Sequence, residues 1–267
     1  GHPNPRNFIN GASPSLIIPV NTVKKADSDD LLNKALEYQQ NLNQEWLEKH
    51  AIIKSMLWGQ DNTGRLVFPY FNANKQIDAL KYHKQTSGGS PFWKGNGKCR
   101  IYGEHLLDEF DTARVLIICE GEKDTVKLLE LGYQAVSFSA GAASIPKEIS
   151  PLFQFKKILI LYDNDEAGRQ GADNLAKCIK MARSDIRTYI GKWSDGLPDK
   201  YDVCDNVDNS EIEKALENAV EYELPLQASV HPRYELRVDG SWIDLGSALF
   251  FTHRGLLPSS SHTYQLR

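Results

Sequence analysis

The sequence has few cysteines, and their spacing excludes a zinc module. The four are Cys99, Cys119, Cys178 and Cys204, and no two of them stand at C-x₂₋₄-C spacing. Zinc modules need such closely spaced Cys or His pairs, so none is expected within these residues. Isolated cysteines are typical of reduced thiols, and we therefore predict a cytoplasmic protein.

Long apolar runs and a large net charge are also lacking. No stretch approaches the roughly 18 apolar residues of a membrane span, so no membrane partner is expected. The net charge is −4, which by itself does not require a nucleic-acid partner. It does not exclude one either, because binding depends on where the basic residues lie. With 41% hydrophobic and 25% charged residues, the composition is that of an ordinary globular protein.

Changes in composition and periodicity divide the chain into four segments, which are 1–28, 29–110, 111–224 and 225–267. The first has several Asn, Pro and Ser residues and little periodicity, so we expect a flexible lead-in. In the second, an amphipathic helix capped near Ser28 precedes two strands, 65–71 and 77–83, in a small basic α+β subdomain. The pattern of the last segment, 225–267, predicts a hairpin at 234–245 and a strand at 249–252. We interpret this segment as a short β appendage or the start of a further domain.

The segment 111–224 predicts a mainly parallel sheet. Val115–Cys119 and Lys157–Tyr162 are apolar runs of the kind that forms strands buried on both faces. Two further strands are expected at Ala135–Phe138 and Arg187–Ile190. Helices are predicted between or after these strands, at 122–131, 166–183 and 209–221. The alternation indicates βαβ units, so the predicted fold class is α/β.

Acidic residues follow three of the predicted strands. Glu120 comes directly after the first strand, Asp163 and Asp165 after the third, and Asp202 and Asp205 after the fourth and its loop. The carboxyl ends of parallel strands meet at one sheet edge, where ligands bind. Carboxylates gathered there would take up protons unless a cation neutralised them. Oxygen ligands without His favour Mg²⁺ or Mn²⁺, the ions that assist phosphoryl transfer.

A simpler interpretation stays open for any one of these acids. Polar residues collect in loops, and carboxylates are favourable at helix N-termini. Asp165, for example, could cap the helix that follows it. The position of three acidic clusters at one edge nevertheless favours the metal site.

Three short motifs carry a family resemblance. V-L-I-I-C-E-G-E-K-D, Y-D-N-D-E-A-G and K-Y-D-V-C-D resemble the Toprim domain, and more narrowly that of bacterial- and phage-type DNA primases and primase-helicases. The third match is the loosest, because Tyr201 intervenes between Lys200 and the first Asp. The resemblance implies catalytic roles for Glu120, Asp163 and Asp165. It also implies a Mg²⁺ or Mn²⁺ ligand set, which is Glu120, Asp163, Asp165, Asp202 and Asp205.

Basic and aromatic residues alternate in the segment before these motifs. Five of them are candidates for binding nucleotides or DNA: Arg65, Lys84, Trp93, Lys94 and Lys98. Such a mixture suits phosphate contacts together with base stacking. The segment resembles the small subdomain that precedes Toprim in primases. The alternative is that the aromatic residues are core and the lysines a solvated face.

The resemblance implies a DNA primase catalytic core without its zinc module. Such a core makes RNA primers on a single-stranded DNA template by nucleotidyl transfer from ribonucleoside triphosphates, with a replicative helicase as partner in cis or in trans. Two alternatives stay open. One is a Toprim nuclease, and the other is a catalytically inactive module that binds single-stranded DNA within a replicative helicase.

Overall fold

The computed structural model describes residues 26–83, 91–97, 99–205, 208–224, 234–238, 241–246 and 264–266. The chain divides into two compact units, Gly1–Tyr222 and Glu223–Arg267. None of the helices in these described ranges is long and apolar enough to cross a membrane. The predicted lead-in up to residue 25 lies outside the described residues.

The first unit begins with three helices and an antiparallel sheet. The helices are α1 (Ala26–Gln40), α2 (Gln44–Glu48) and α3 (Ala51–Ser55). The strands are β1 (Gly59–Gln60), β2 (Leu66–Phe71), β3 (Ile77–Tyr82) and β4 (Phe92–Gly95), in that spatial order. A turn whose N–H groups are held by the Asn72 side chain joins β2 to β3. The predicted pair of strands is thus confirmed.

Side chains alternate between the two faces of β2, as the pleat of a strand requires. Val67 and Phe71 pack with Leu31 and Ala35 of α1. Their neighbour Tyr70 belongs to the large core that continues into the second sheet of the unit. The first sheet is therefore a layer between α1 and the rest of the unit.

The second sheet is six-stranded and carries three helices. Its strands are β5 (Ile101–Tyr102), β6 (Leu116–Cys119), β7 (Gln134–Phe138), β8 (Lys157–Leu161), β9 (Arg187–Ile190) and β10 (Val220–Glu221). Its helices are α4 (Glu122–Glu130), α5 (Glu166–Ala182) and α6 (Ser210–Glu217). The spatial order is β10-β9-β8-β6-β7-β5. Four central strands are parallel and the two short edge strands are antiparallel, which confirms the α/β class.

The strand order places a topological switch point between β6 and β8. From β6 the chain passes through α4 to β7 on one side, and from β8 it passes through α5 to β9 on the other. Crossovers of this kind are almost always right-handed, so α4 and α5 cover opposite faces of the sheet. The crevice at the carboxyl ends of β6 and β8 is where such folds bind ligands.

Two helix boundaries differ from the prediction. The first helix begins at Ala26, so Ser28 is not its cap; its hydroxyl donates instead to the carbonyl of Ile77, at 3.0 Å. The last helix ends at Glu217 rather than near residue 221, because Val220–Glu221 pairs with β9. A two-residue edge strand has no periodicity that a sequence could reveal.

The second unit contains a three-stranded antiparallel sheet, β11 (Tyr234–Val238), β12 (Ser241–Gly246) and β13 (Tyr264–Leu266). The strands lie in the order β12-β11-β13. The predicted hairpin is confirmed as β11 and β12. The strand expected at 249–252 lies outside the described residues, and β13 was not predicted.

Candidate metal centre

Glu120 lies at the end of β6 and faces the end of β8. Its side chain is half-buried, and one carboxylate oxygen accepts the backbone N–H of Asp163 at 3.4 Å. Burial raises the pKa of Glu120, and the nearby carboxylates of Asp165 and Asp202 add to the rise. The first and second acidic motifs therefore meet where the sequence placed them.

Asp163 has the most perturbed carboxylate of those named from the sequence. Burial raises its pKa to about 8, and the charges of its acidic neighbours contribute. These neighbours are Glu120, Asp124, Asp202 and Asp165. Each acts on Asp163 through its charge, so all four lie near Asp163.

Gly168, the last residue of the Y-D-N-D-E-A-G motif, is required for a steric reason. A Cβ on Gly168 would lie 2.2 Å from the backbone carbonyl oxygen of Asp163. That distance is far inside van der Waals contact, so any side chain would displace the turn between β8 and α5. Gly168 thus allows the first turn of α5 to pack closely against the backbone of Asp163.

Asp165 caps α5, as the simpler interpretation of this residue allowed. Its carboxylate accepts the N–H of Gly168 at 2.7 Å and satisfies one of the unpaired donors of the first turn. Its charge also contributes to the raised pKa values of Glu120 and Asp163. The residue is therefore a helix cap that lies beside the acidic cluster.

Asp202 reaches the cluster, whereas Asp205 supports the loop. Asp202 is half-buried, burial raises its pKa, and its carboxylate accepts the N–H groups of Cys204 at 2.7 Å and Asp205 at 3.0 Å. Asp205 is exposed, and its carboxylate accepts the N–H of Asp202 at 3.2 Å. Of this third motif, Asp202 is the residue that the structure brings to the other carboxylates.

Asp124 is a member of the cluster that the sequence interpretation omitted. It lies in the first turn of α4, is only 7% exposed, and accepts the N–H of Gly121 at 3.1 Å. Burial and the charge of Asp202 raise its pKa to about 7. Ligand atoms of Asp124, Asp202 and Cys204 lie within 4.8 Å of one another. The signal was available, since Asp124 is the final residue of the V-L-I-I-C-E-G-E-K-D motif.

The donor set fits a hard divalent cation. Carboxylates whose pKa values are raised by burial and by each other gain most from a nearby positive charge. Oxygen-rich sites select Mg²⁺ or Mn²⁺ over softer metals. The residues that would hold such an ion are Glu120, Asp124, Asp163 and Asp202, with Asp165 beside them.

A cavity of about 270 Å³ opens beside the cluster. It lies between the ends of β8 and β9 and the start of α5, and Asp163 is part of its wall. Arg169 and Lys192 contribute positive charge to the lining. The acidic cluster therefore borders solvent-accessible space rather than closed core.

Three of the five predicted nucleic-acid residues lie within the described residues. The Arg65 guanidinium lies 5.0 Å from the centre of the Phe92 ring, which stacks on Tyr82 at 4.3 Å. Lys94 forms an ion pair with Asp30 at 2.9 Å. Trp93 is half-buried against Tyr70, at 4.9 Å between ring centres. Lys84 and Lys98 lie outside the described residues.

One basic residue that the sequence interpretation did not select connects the first sheet to the first acidic motif. Lys81 of β3 pairs with the buried carboxylate of Glu122, which also accepts the hydroxyl of Tyr70. The ammonium group of Lys81 also donates a hydrogen bond to the backbone carbonyl of Ser139, at 2.8 Å. The pair fixes β3 against the start of α4, two residues from Glu120.

The part of the chain that contains most of these carboxylates matches a known protein family. Residues 114–190 match the family model described as the Toprim domain. The match covers β6 to β9 and includes Glu120, Asp124, Asp163 and Asp165. The resemblance predicted from the acidic motifs is thus confirmed for this part of the chain.

The chain is also similar to particular primases. It is 30% identical over 130 residues to DNA primase DnaG of Thermofilum pendens, which is 48% of this chain and 28% of that protein. DNA primase DnaG of Staphylothermus marinus is 30% identical over 137 residues, 49% of this chain and 29% of that protein. The chain thus spans less than a third of the length of these curated relatives.

Solved primase cores share the fold over a longer stretch. The DnaG catalytic core aligns with a TM-score of 0.57 and 19% identity over 72% of this chain and 79% of that chain. The E. coli primase catalytic core aligns with a TM-score of 0.54 and 16% identity, over 71% of this chain and 79% of that chain. A DnaG catalytic domain bound to single-stranded DNA aligns with a TM-score of 0.51 and 17% identity, over 74% of this chain and 84% of that chain. The similarity extends beyond the residues that match the Toprim domain, and it supports the predicted fold.

Proposed function

We propose that the chain is the catalytic core of a DNA primase, which joins ribonucleotides on a single-stranded DNA template. In this reaction the 3′-hydroxyl of one nucleotide attacks the α-phosphorus of the next triphosphate, and pyrophosphate leaves. Mg²⁺ or Mn²⁺ would supply the positive charge that stabilises the negative charge developing on the phosphate. A replicative helicase, in cis or in trans, is the proposed partner.

The observation that carries this proposal is the convergence of Glu120, Asp124, Asp163 and Asp202 at one sheet edge. Burial, and then the charges of the neighbouring carboxylates, raise the pKa values of all four, so a cation beside them would be favourable. A Toprim-like acidic cluster alone does not select a reaction, because one fold supports several chemistries. Primer synthesis is favoured because the fold similarity to the DnaG catalytic core covers 72% of this chain, far more than the Toprim match alone.

The residues of the centre take distinct proposed roles. Asp163 and Asp202, with Asp124, hold the ion, and Glu120 lies nearest to the reacting phosphate as ligand or proton acceptor. Asp165 fixes the start of α5 and adds negative charge. Asp205 holds the loop of Asp202.

The first sheet supplies the proposed template and nucleotide surface. Arg65 directly precedes β2 and Lys94 lies on β4, and we propose that these two cations contact phosphates. Phe92 is 44% exposed and stacks on Tyr82, which gives the surface an aromatic component suited to bases. Lys84 and Lys98 lie outside the described residues and stay candidates from the sequence alone. Trp93 lies on β4 with its ring against Tyr70.

Product analysis separates this function from its two alternatives. The protein is incubated with a single-stranded template, labelled ribonucleoside triphosphates and Mg²⁺ or Mn²⁺. Oligoribonucleotides that depend on the template support the primase. Loss of template without synthesis would indicate a Toprim nuclease. Retained DNA binding with neither product would indicate an inactive binding module, and both of these results contradict the proposal.

A further inference from the structure

Asp202 is carried by a loop that has no regular structure of its own. After β9 ends at Ile190, residues 191–202 form neither helix nor strand. Loops position functional groups less precisely than helices and strands do, unless other residues hold them in place. The position of Asp202 relative to the acids at the end of β8 therefore depends on what fixes this loop.

Asn164, the middle residue of the Y-D-N-D-E-A-G motif, makes four hydrogen bonds to this loop. Its backbone N–H donates to the carbonyl of Tyr201 at 2.8 Å, and its backbone carbonyl accepts the N–H of Lys200 at 3.1 Å. Its side-chain amide donates to the backbone carbonyls of Leu197 at 3.4 Å and Pro198 at 3.1 Å. The turn that carries the second acidic motif is thus bonded directly to the segment before Asp202.

Trp193 fixes the first part of the same loop. Its indole N–H donates to the backbone carbonyl of Tyr162 at 2.7 Å, and its ring is buried. The ring of Tyr201 lies edge-on to it, at 5.3 Å between ring centres. The residues directly before and after Asp163 in the sequence, Tyr162 and Asn164, are therefore both bonded to the loop that carries the third motif.

We propose that Asn164 and Trp193 are positioning residues, which hold Asp202 at the distance from Asp163 that Mg²⁺ binding requires. Both act through hydrogen bonds to the backbone and not as ligands of the ion. Removal of groups that orient metal ligands without touching the ion typically lowers metal affinity about 10–100-fold. The inference rests on the proposed metal-dependent function and adds the residues that fix the geometry of its site.

Calorimetric titration of the whole chain with Mg²⁺ tests the inference. Asn164→Ala removes the side-chain amide, and Trp193→Phe removes the indole N–H but keeps an aromatic ring. The Mg²⁺ affinity should fall about tenfold in each variant. Asn164→Gln, which keeps an amide donor, should bind Mg²⁺ more tightly than Asn164→Ala.

Asn41→Ala is the matched control for the loss of a side-chain amide. The amide of Asn41 also donates to a backbone carbonyl, that of Gln60 at 2.7 Å, but it does so at the first sheet. Its removal should destabilise the chain without a change in Mg²⁺ affinity. A purely structural role of Asn164 would instead lower the melting temperature of Asn164→Ala and leave its Mg²⁺ affinity at the wild-type value.

Hydrogen exchange of the metal-free chain tests the hold on the loop separately from metal binding. In Asn164→Ala, the amides of residues 197–205 should exchange about five- to tenfold faster than in the wild type, because a loop that has lost hydrogen bonds opens more often. The amides of β6 should exchange at the wild-type rate. Wild-type rates at 197–205 would show that Asn164 does not hold the loop.

Two further results would overturn the inference. One is a wild-type Mg²⁺ affinity in Trp193→Phe and Asn164→Ala, and Trp193→Phe alone decides if Asn164→Ala fails to fold. The other is an equal loss of affinity in Asn41→Ala. If the wild type binds Mg²⁺ and makes primers in either case, only the inference has failed. If the wild type binds no Mg²⁺, the proposed function has failed, and the inference falls with it.

Discussion

At Asp163, protonation and metal binding compete for the same carboxylate. Its pKa is raised from 3.8 to about 8, so the protonated form is favoured by folding. This contribution to stability is fully present below 3.8 and is lost as the pH rises towards 8. Mg²⁺ favours the ionised form, so it stabilises most where the metal-free protein is weakest.

The first prediction follows for Asp163→Asn. Because the amide has no charge to bury, the metal-free variant should melt a few degrees above the wild type at a pH of about 8. It should also lose most of the rise in melting temperature that Mg²⁺ gives the wild type. Thermal melts with and without Mg²⁺ measure both effects. The exposed Asp173→Asn is the control, and an equal Mg²⁺ response in Asp163→Asn would contradict the metal assignment.

His105 yields a second prediction, which concerns stability alone. Its side chain is 3% exposed, packs on Phe71, and neither ring nitrogen has a hydrogen-bond partner among the described residues. Burial lowers its pKa from 6.5 to about 3, so folding favours the neutral ring. The stability that this shift contributes is fully present above pH 6.5 and is lost as the pH falls towards 3. His105→Phe should raise the free energy of unfolding by about 1–2 kcal/mol at neutral pH.

Denaturant titrations at several pH values check the His105 prediction. The variant should also lose much of the decline in stability between pH 6.5 and 3. His50→Asn is the control, because His50 already bonds to Glu130 at 2.8 Å. A His105→Phe variant less stable than the wild type at every pH would show that the histidine has a partner.

At the residue scale, the sequence predicted the acids better than their individual roles. Glu120, Asp163 and Asp202 meet because strand ends define a common edge, which a sequence can indicate. Asp124 was missed because it lies inside a helix rather than at a strand end, although the first acidic motif ends on it. The contact between Lys81 and Glu122 depends on how two sheets pack, and no local pattern encodes that.

At the scale of single elements, the start of α5 depends on a glycine. A Cβ at position 168 would collide with the carbonyl of Asp163, so Gly168→Ala must shift the turn. We expect a loss of about 1–3 kcal/mol in unfolding free energy. Because the turn positions Asp163, Mg²⁺ affinity should fall about tenfold or more. Calorimetric titration measures the affinity, and Ala167→Ser in the same turn is the control, with both quantities near those of the wild type.

The junction between β3 and α4 gives a fourth prediction. Lys81 and Glu122 are both largely buried, and removing one partner leaves an uncompensated charge. Lys81→Met should therefore cost about 3–5 kcal/mol, and adding Glu122→Gln should recover part of that loss. Unfolding curves of the single and double variants form a double-mutant cycle. The exposed pair of Lys54 and Glu48 is the control, where Lys54→Met should cost about 1 kcal/mol or less.

Long buried elements were predictable and short edge elements were not. The apolar runs of β6 and β8 and the amphipathic α5 have enough residues for their periodicity to identify them. β5, β10 and β13 have two or three residues and are formed by pairing with a longer neighbour. Their existence is a tertiary effect.

At the scale of the whole molecule, the first unit joins two sheets with one continuous core. The acidic cluster lies at the carboxyl ends of the second sheet's strands, and the first sheet carries the cations and aromatics of the proposed template surface. The buried pair of Lys81 and Glu122 couples them. The proposed primer synthesis would require both, since the metal centre would act on phosphates that the basic surface holds.

Primer synthesis by a matched pair of variants tests this account most directly. Asp163→Asn and Asp173→Asn remove the same charge, but only the first removes it from the cluster. With a single-stranded template, ribonucleoside triphosphates and Mg²⁺, the account predicts oligoribonucleotides from the wild type and from Asp173→Asn. It predicts synthesis reduced about 100-fold or more in Asp163→Asn. Equal synthesis by the two variants, or none by a wild type that binds Mg²⁺, would contradict it.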